Sequence, residues 1–172
     1  NIVVFTGQPY NRQHLVEVSK WLSLGKGVVT FFQLLVGDVE EMSRLGHRDT
    51  AKKHIKNYIR EQKMAAFAES EIVGDFYHGA LTVVQAHGLG GFIPNTVLLG
   101  WSNKQQNLAS QMELMRSLVF LGKSVLYLHY NEKRGFGKYH QIDVWWGGKG
   151  RNAELMLLLA HLVSRHRRWH RS

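Results

Sequence analysis

Val28-Val29-Thr30-Phe31-Phe32-Gln33-Leu34-Leu35-Val36 is β-branched, aromatic or aliphatic at nearly every position. A run with so little polar alternation reads as a strand buried on both faces, the kind that a parallel sheet requires. Ile2-Val3-Val4-Phe5 has the same character upstream. Thr96 to Gly100, Ser124 to His129 and Ile142 to Trp146 read as further strands, with a short one at Ala65 to Ala68.

Segments of helical period lie between these runs. Asn11 is placed to cap a helix with Leu15, Val18 and Leu22 on one face and Gly25 beyond its end. Asp38 to Met64 is polar and mostly helical, turning Ala51, Ile55, Tyr58 and Ile59 inward and Lys52, Lys53, Lys56, Arg60 and Lys63 elsewhere. Asp75 caps a helix holding Phe76, Ala80, Val83 and Val84, and Gly88 stops it. Gln105 to Leu121 carries Leu114, Met115, Leu118 and Val119 and stops at Gly122. After a polar connection, Asn131 to His140, Asn152 caps a last helix packed through Leu155, Leu158, Leu159 and Leu162. Strands separated by helices mean βαβ crossovers, hence an α/β fold with a mostly parallel sheet and helices on both faces.

The chain has 172 residues, within the usual size of one domain and large enough to bury its own core. A hydrophobic fraction of 44% against 20% charged excludes a disordered protein. With no cysteine, disulfide scaffolds, thiolate zinc sites and cysteine catalysis are excluded as well. The longest apolar runs reach about half of the ~20 residues that span a bilayer. The chain opens at Asn1 inside an apparent strand, with no basic segment leading into an apolar core. An excised domain or mature fragment is therefore expected.

Lys and Arg number 22 against 13 Asp and Glu, a formal charge of +9. That balance points to an anionic partner. Much of the excess lies in Lys52 to Lys63 and in Arg165 to Arg171. Neither stretch carries interleaved aromatics or a base-reading motif, so nucleic acid is not the expected partner.

The glycine-rich turn Gly88-Leu89-Gly90-Gly91 and the later Gly100 and Ser102 form a candidate phosphate-binding set. A similar arrangement binds ATP in universal stress proteins. Here the spacing from Gly91 to Gly100 is one residue short of that pattern, and the glycines follow a helix rather than open one. A helix C-cap followed by a tight turn is the simpler reading. Trp101-Ser102-Asn103 lacks the second glycine of a nucleophile elbow, and Asp143 stands without a partner carboxylate, so no catalytic set is found. His166 and His170 have the spacing of two zinc ligands on a helix, but His161 falls off that face and no metal site is expected.

Three motifs in order carry a family resemblance. Phe5-Thr6-Gly7-Gln8-Pro9 is one, and Gln85-Ala86-His87-Gly88-Leu89-Gly90 with Pro94-Asn95-Thr96-Val97-Leu98-Leu99-Gly100-Trp101 is the second. Ile142-Asp143-Val144-Trp145-Trp146 with Leu155-Met156-Leu157-Leu158-Leu159, and Trp169 beyond, is the third. Together they resemble the cytosolic C-terminal domain of cation-chloride cotransporters, of prokaryotic type, over essentially the whole chain. The resemblance implies a three-layer sandwich like that of universal stress proteins and a role in regulation and homodimerisation without catalysis. It implies a place on the cytoplasmic side of the plasma membrane, joined to a many-helix membrane part of the same polypeptide that moves Na+ or K+ with chloride. It also implies that residues 1–172 are one lobe, with a second lobe beginning near Ile142 as the alternative boundary. No cofactor is expected, ATP at Gly88, Gly91, Gly100 and Ser102 being the alternative, and the positive charge is expected to serve attraction to anionic lipid headgroups or to an acidic lobe outside this chain.

Overall fold

The computed structural model describes residues 1–88, 93–148 and 152–169. Five strands, β1 (Ile2–Phe5), β2 (Val29–Val36), β3 (Phe67–Val73), β4 (Thr96–Gly100) and β5 (Ser124–Leu128), form one sheet in the order β3-β2-β1-β4-β5. Every pairing is parallel, with Phe5 in register with Phe32 on one side and Leu99 on the other. Helices α1 (Gln13–Ser23), α2 (Val39–Arg44) and α3 (His47–Glu61) connect β1 to β2 and β2 to β3. Helices α4 (Phe76–Ala86) and α5 (Leu108–Phe120) make the next two crossovers, and α6 (Ala153–Ser164) follows the sheet.

Successive residues of a strand point to opposite faces, and the two cores follow from that period. Val4, Phe31 and Leu98 face α1 and α3, where they pack with Leu15, Val16, Ile55, Tyr58 and Ile59. Val3, Phe5, Phe32, Val97 and Leu99 face α4 and α5, where they meet Ala80, Val84, Leu114 and Leu118. This is the expected parallel α/β sandwich. The four inward residues expected of α3 are all buried. Asp75 caps α4 as expected, its carboxylate accepting from the His78 N–H at 3.0 Å.

Four local expectations are corrected. The third strand is Phe67–Val73 rather than Ala65 to Ala68. Its Glu69 and Glu71 disguise it in the sequence because it is an edge strand, whose charges pair with Lys52 and Arg48 of α3 at 2.6 and 2.9 Å. Asn11 does not cap α1; it sits in a 3-10 turn (Pro9–Asn11), and Arg12 takes the cap position without a side-chain bond. Asn152 holds the cap position of α6 but makes no side-chain cap bond, and Leu158 of that helix is exposed while Leu155, Leu159 and Leu162 are half-buried. Ile142 to Trp146 is not a strand. Trp145 is 86% exposed and Val144 is also exposed, because β propensity yields a strand only where a neighbour offers a ladder.

Beyond β5 the chain wraps over α1. Tyr130 stacks on His14 at 4.5 Å, and Phe136 and Trp169 pack edge-on against Trp21 at 4.6 and 5.5 Å. Arg168 pairs with Glu17 of α1 and lies over the Tyr139 ring. Helix α6 packs on α1, adding material outside the α1–α3 layer.

Candidate functional site

In a parallel sheet the strand order reverses where the chain crosses from one face to the other, and the loops there part to leave a crevice. The reversal here lies between β1 and β4. The chain leaves β1 toward α1 on one face and leaves β4 toward α5 on the opposite face. At the carboxyl ends of these strands a cleft of about 390 Å³ opens. Its floor is apolar, from Phe5, Leu99 and Leu114, and its walls carry Arg12, Asp75, Ser102 and Gln111.

The polar wall is held by a closed set of hydrogen bonds. Gln111 accepts from the Ser102 backbone N–H at 2.9 Å and donates to the Ser102 carbonyl at 3.1 Å. The Ser102 hydroxyl accepts from the Asn107 amide at 3.0 Å. Tyr127 donates to the Gln111 carbonyl at 2.9 Å, and burial pushes its phenol up to about 12, so it remains a donor at any physiological pH. Across the cleft, the His78 N–H and imidazole hold the Asp75 carboxyl below its ordinary range. The positive end of α4 is therefore already occupied by a carboxylate of the chain itself.

The structure divides the glycine-and-serine set. Gly100 and Ser102 line the cleft, and a Cβ on Gly100 would lie 3.4 Å from the Arg12 guanidinium. Gly88 follows α4 at the opposite, amino-terminal edge of the sheet, separated from Gly100 by the whole of β4. There it has φ +135, and a Cβ would come 2.9 Å from the Ile93 Cα, so the backbone itself calls for glycine at this position. Gly91 lies outside the described residues, as does His170 of the two-histidine pair. Among the described residues no three His, Asp or Glu side chains gather as a metal site.

Arg12, Gln111 and Tyr127 were not singled out by the sequence. A signal for Gln111 does exist: it precedes Leu114 and Leu118 on the buried stripe of α5 at helical spacing, a polar residue on an apolar face. Arg12 has no such mark, because only the crossover of α1 brings it beside Gly100.

A doubly wound parallel domain with a polar-walled crevice at its switch point, and no metal cluster among the described residues, is the class that fold and site define. Residues 12–130 match the family model of Solute carrier family 12, and the chain belongs to that family. The middle motif, Gln85 to Trp101, falls inside the matched stretch. The fold is similar to the crystal structure of the cytoplasmic domain of a prokaryotic cation chloride cotransporter, with a TM-score of 0.66 at 17% identity. That likeness covers 99% of this chain and 62% of the other, so the chain spans under two thirds of its structural relative. The resemblance drawn from the three motifs is thereby confirmed at the level of family and fold. Among the described residues, no helix is long and apolar enough to cross a membrane.

Proposed function

We propose that this chain is a cytosolic regulatory and dimerisation lobe of a cation-chloride cotransporter, without chemistry of its own. In this reading the rest of the polypeptide carries Na+ or K+ with chloride, and the lobe transmits the geometry of a paired assembly to it as a rigid body. The family membership and the shared fold support it. The observation that carries the dimer is the end of α5, where Val119, Phe120 and Leu121 are consecutively exposed and Phe120 is 91% accessible. An apolar ridge of this kind, beside the β5 edge, is costly in water and suits a self-complementary contact.

Light scattering of the purified chain over a range of concentration tests the reading. A mass that doubles with concentration, and a Phe120→Asp variant that stays monomeric, are expected. A wild-type chain that remains monomeric at high micromolar concentration overturns the dimer.

The cleft favours a second reading, an ATP-sensing lobe of universal-stress type. Gly100 admits close approach, Ser102 supplies a hydroxyl and Arg12 a cation, while the apolar floor suits a base. Asp75 at the mouth opposes a triphosphate. Thermal unfolding with ATP decides: at 100 times Kd, stabilisation of about 2.7 kcal/mol is expected. No shift at millimolar ATP rejects it.

A further inference from the structure

Helix α3 carries two kinds of cation, and the fold separates them. Arg48 and Lys52 turn to the β3 edge, where Glu71 and Glu69 neutralise them. Lys53, Lys56 and Arg60 are exposed, and none of them is paired with a carboxylate among the described residues. At 3.6 residues per turn, Lys53 and Arg60 point almost directly away from the side defined by buried Ala51, Ile55, Tyr58 and Ile59. Lys56, between them along the axis, lies about 50° to one side, and Lys63, just past the helix, continues that flank. The row from Lys53 to Arg60 is straight and about 10 Å long. Glu61, next to Arg60 in sequence, is held toward Tyr10, whose hydroxyl donates to both carboxylate oxygens at 3.1 and 3.0 Å, and Asp49, exposed one turn before Lys53, is a carboxylate on the same face.

We propose that this row, Lys53, Lys56, Arg60 and Lys63, docks the lobe on an anionic lipid surface. The charge is complementary and the row is convex and open. A protein partner needs an apolar or aromatic anchor at the centre of its contact, and the apolar residues of α3 all face the core. A nucleic acid read by sequence or bound as a single strand needs base-reading or stacking side chains beside the cations, and the aromatic of this helix, Tyr58, is buried; phosphate contact alone is left to the duplex arm of the test. Headgroup attraction needs neither; it needs unpaired cations that reach the surface together. The reading rests on the chain lying beside a membrane, as a transporter lobe would, but not on its dimerising.

Co-sedimentation of the chain with vesicles of phosphatidylcholine, with and without phosphatidylglycerol, tests it. The variant Lys53→Gln/Lys56→Gln/Arg60→Gln is compared with Lys104→Gln/Arg116→Gln/Lys138→Gln, which removes the same charge from exposed positions elsewhere. Each basic residue at the surface contributes about 1 kcal/mol, so the row variant is expected to lose about a hundredfold in partition to anionic vesicles. The control variant is expected to lose no more than a fewfold. Equal loss in both variants, no wild-type preference for anionic over neutral vesicles, or tighter binding to a DNA duplex at the same salt each overturns the proposal. Light scattering on the same samples reports the dimer independently.

Discussion

The imidazole of His87 reaches the Thr30 hydroxyl, with 3.0 Å between His87 Nε2 and Thr30 Oγ1, and ties the end of α4 to the start of β2. The ring stands edge-on to Phe32 at 5.0 Å, so it is packed as an aromatic as well as bonded as a polar group. Burial pulls its pKa below the ordinary 6.5, with Glu69 acting weakly in the opposite direction. His14 and His166 are also lowered, mainly by burial.

A folded-state imidazole with a depressed pKa binds fewer protons than the unfolded chain just below pH 6.5, so stability there rises with pH. The melting temperature is expected to be level above about 6.5 and to fall as pH drops through the depressed values. His87→Gln retains a partner for Thr30 and removes one titration, so its melting temperature should depend less on pH in the range just below 6.5. Calorimetry over that range checks it; an unchanged slope would show that His87 contributes nothing to the dependence.

Gly79 lies in α4 against the end of β3, where a Cβ would meet Val73 Cγ1 at 2.6 Å and Val73 Cβ at 2.7 Å. Alanine improves helix propensity by about 1 kcal/mol, but overpacking at a buried site costs about 1–3 kcal/mol. The contact involves the whole isopropyl group rather than a flexible tip, so Gly79→Ala should destabilise on balance. Urea denaturation should show recovery when Val73→Ala is added to it.

Gly88 and Gly100 should separate structure from ligand. Gly88→Ala forces a side chain into φ +135 against the backbone of Ile93 and should cost about 1–3 kcal/mol with or without ATP. Gly100→Ala meets the far end of Arg12 at 3.4 Å, which can move. It should leave the melting temperature nearly unchanged and reduce any ATP-dependent shift. A loss of stability in Gly100→Ala as large as that in Gly88→Ala would contradict this division.

Asp75 caps α4 and also faces the cleft. Its lowered pKa means that its contribution is present above the ordinary carboxyl pKa and lost as pH falls through the depressed value. Asp75→Asn keeps an acceptor for the His78 N–H, so it should keep most of the neutral-pH stability while flattening the acid limb. By removing a negative charge from the cleft, it should also enlarge any ATP-dependent shift. A smaller shift would show that Asp75 does not oppose the ligand.

The parallel sheet and both helical layers were readable because each buried strand is a continuous apolar run and each helix repeats its apolar residues at helical spacing. Val28 to Val36 shows the first signal, and Ala51, Ile55, Tyr58 and Ile59 show the second. The edge strand Phe67–Val73 was misplaced for the opposite reason: Glu69 and Glu71 read as loop until Lys52 and Arg48 of α3 account for them. Ile142 to Trp146 failed in the other direction, its β propensity having no ladder to join.

Local pattern therefore settled the class of fold, the inward face of α3 and, through three ordered motifs, the family, whereas Val119 of α5 and Leu158 of α6, both expected to face inward, are exposed. Where Gly88 and Gly100 stand relative to each other, which lysines of α3 remain unpaired, and that Arg12 meets Gln111 and Ser102 in one cleft depended on the tertiary fold. Those relations are set by strand order and by which face each crossover takes, and both are fixed by packing between segments far apart in the chain.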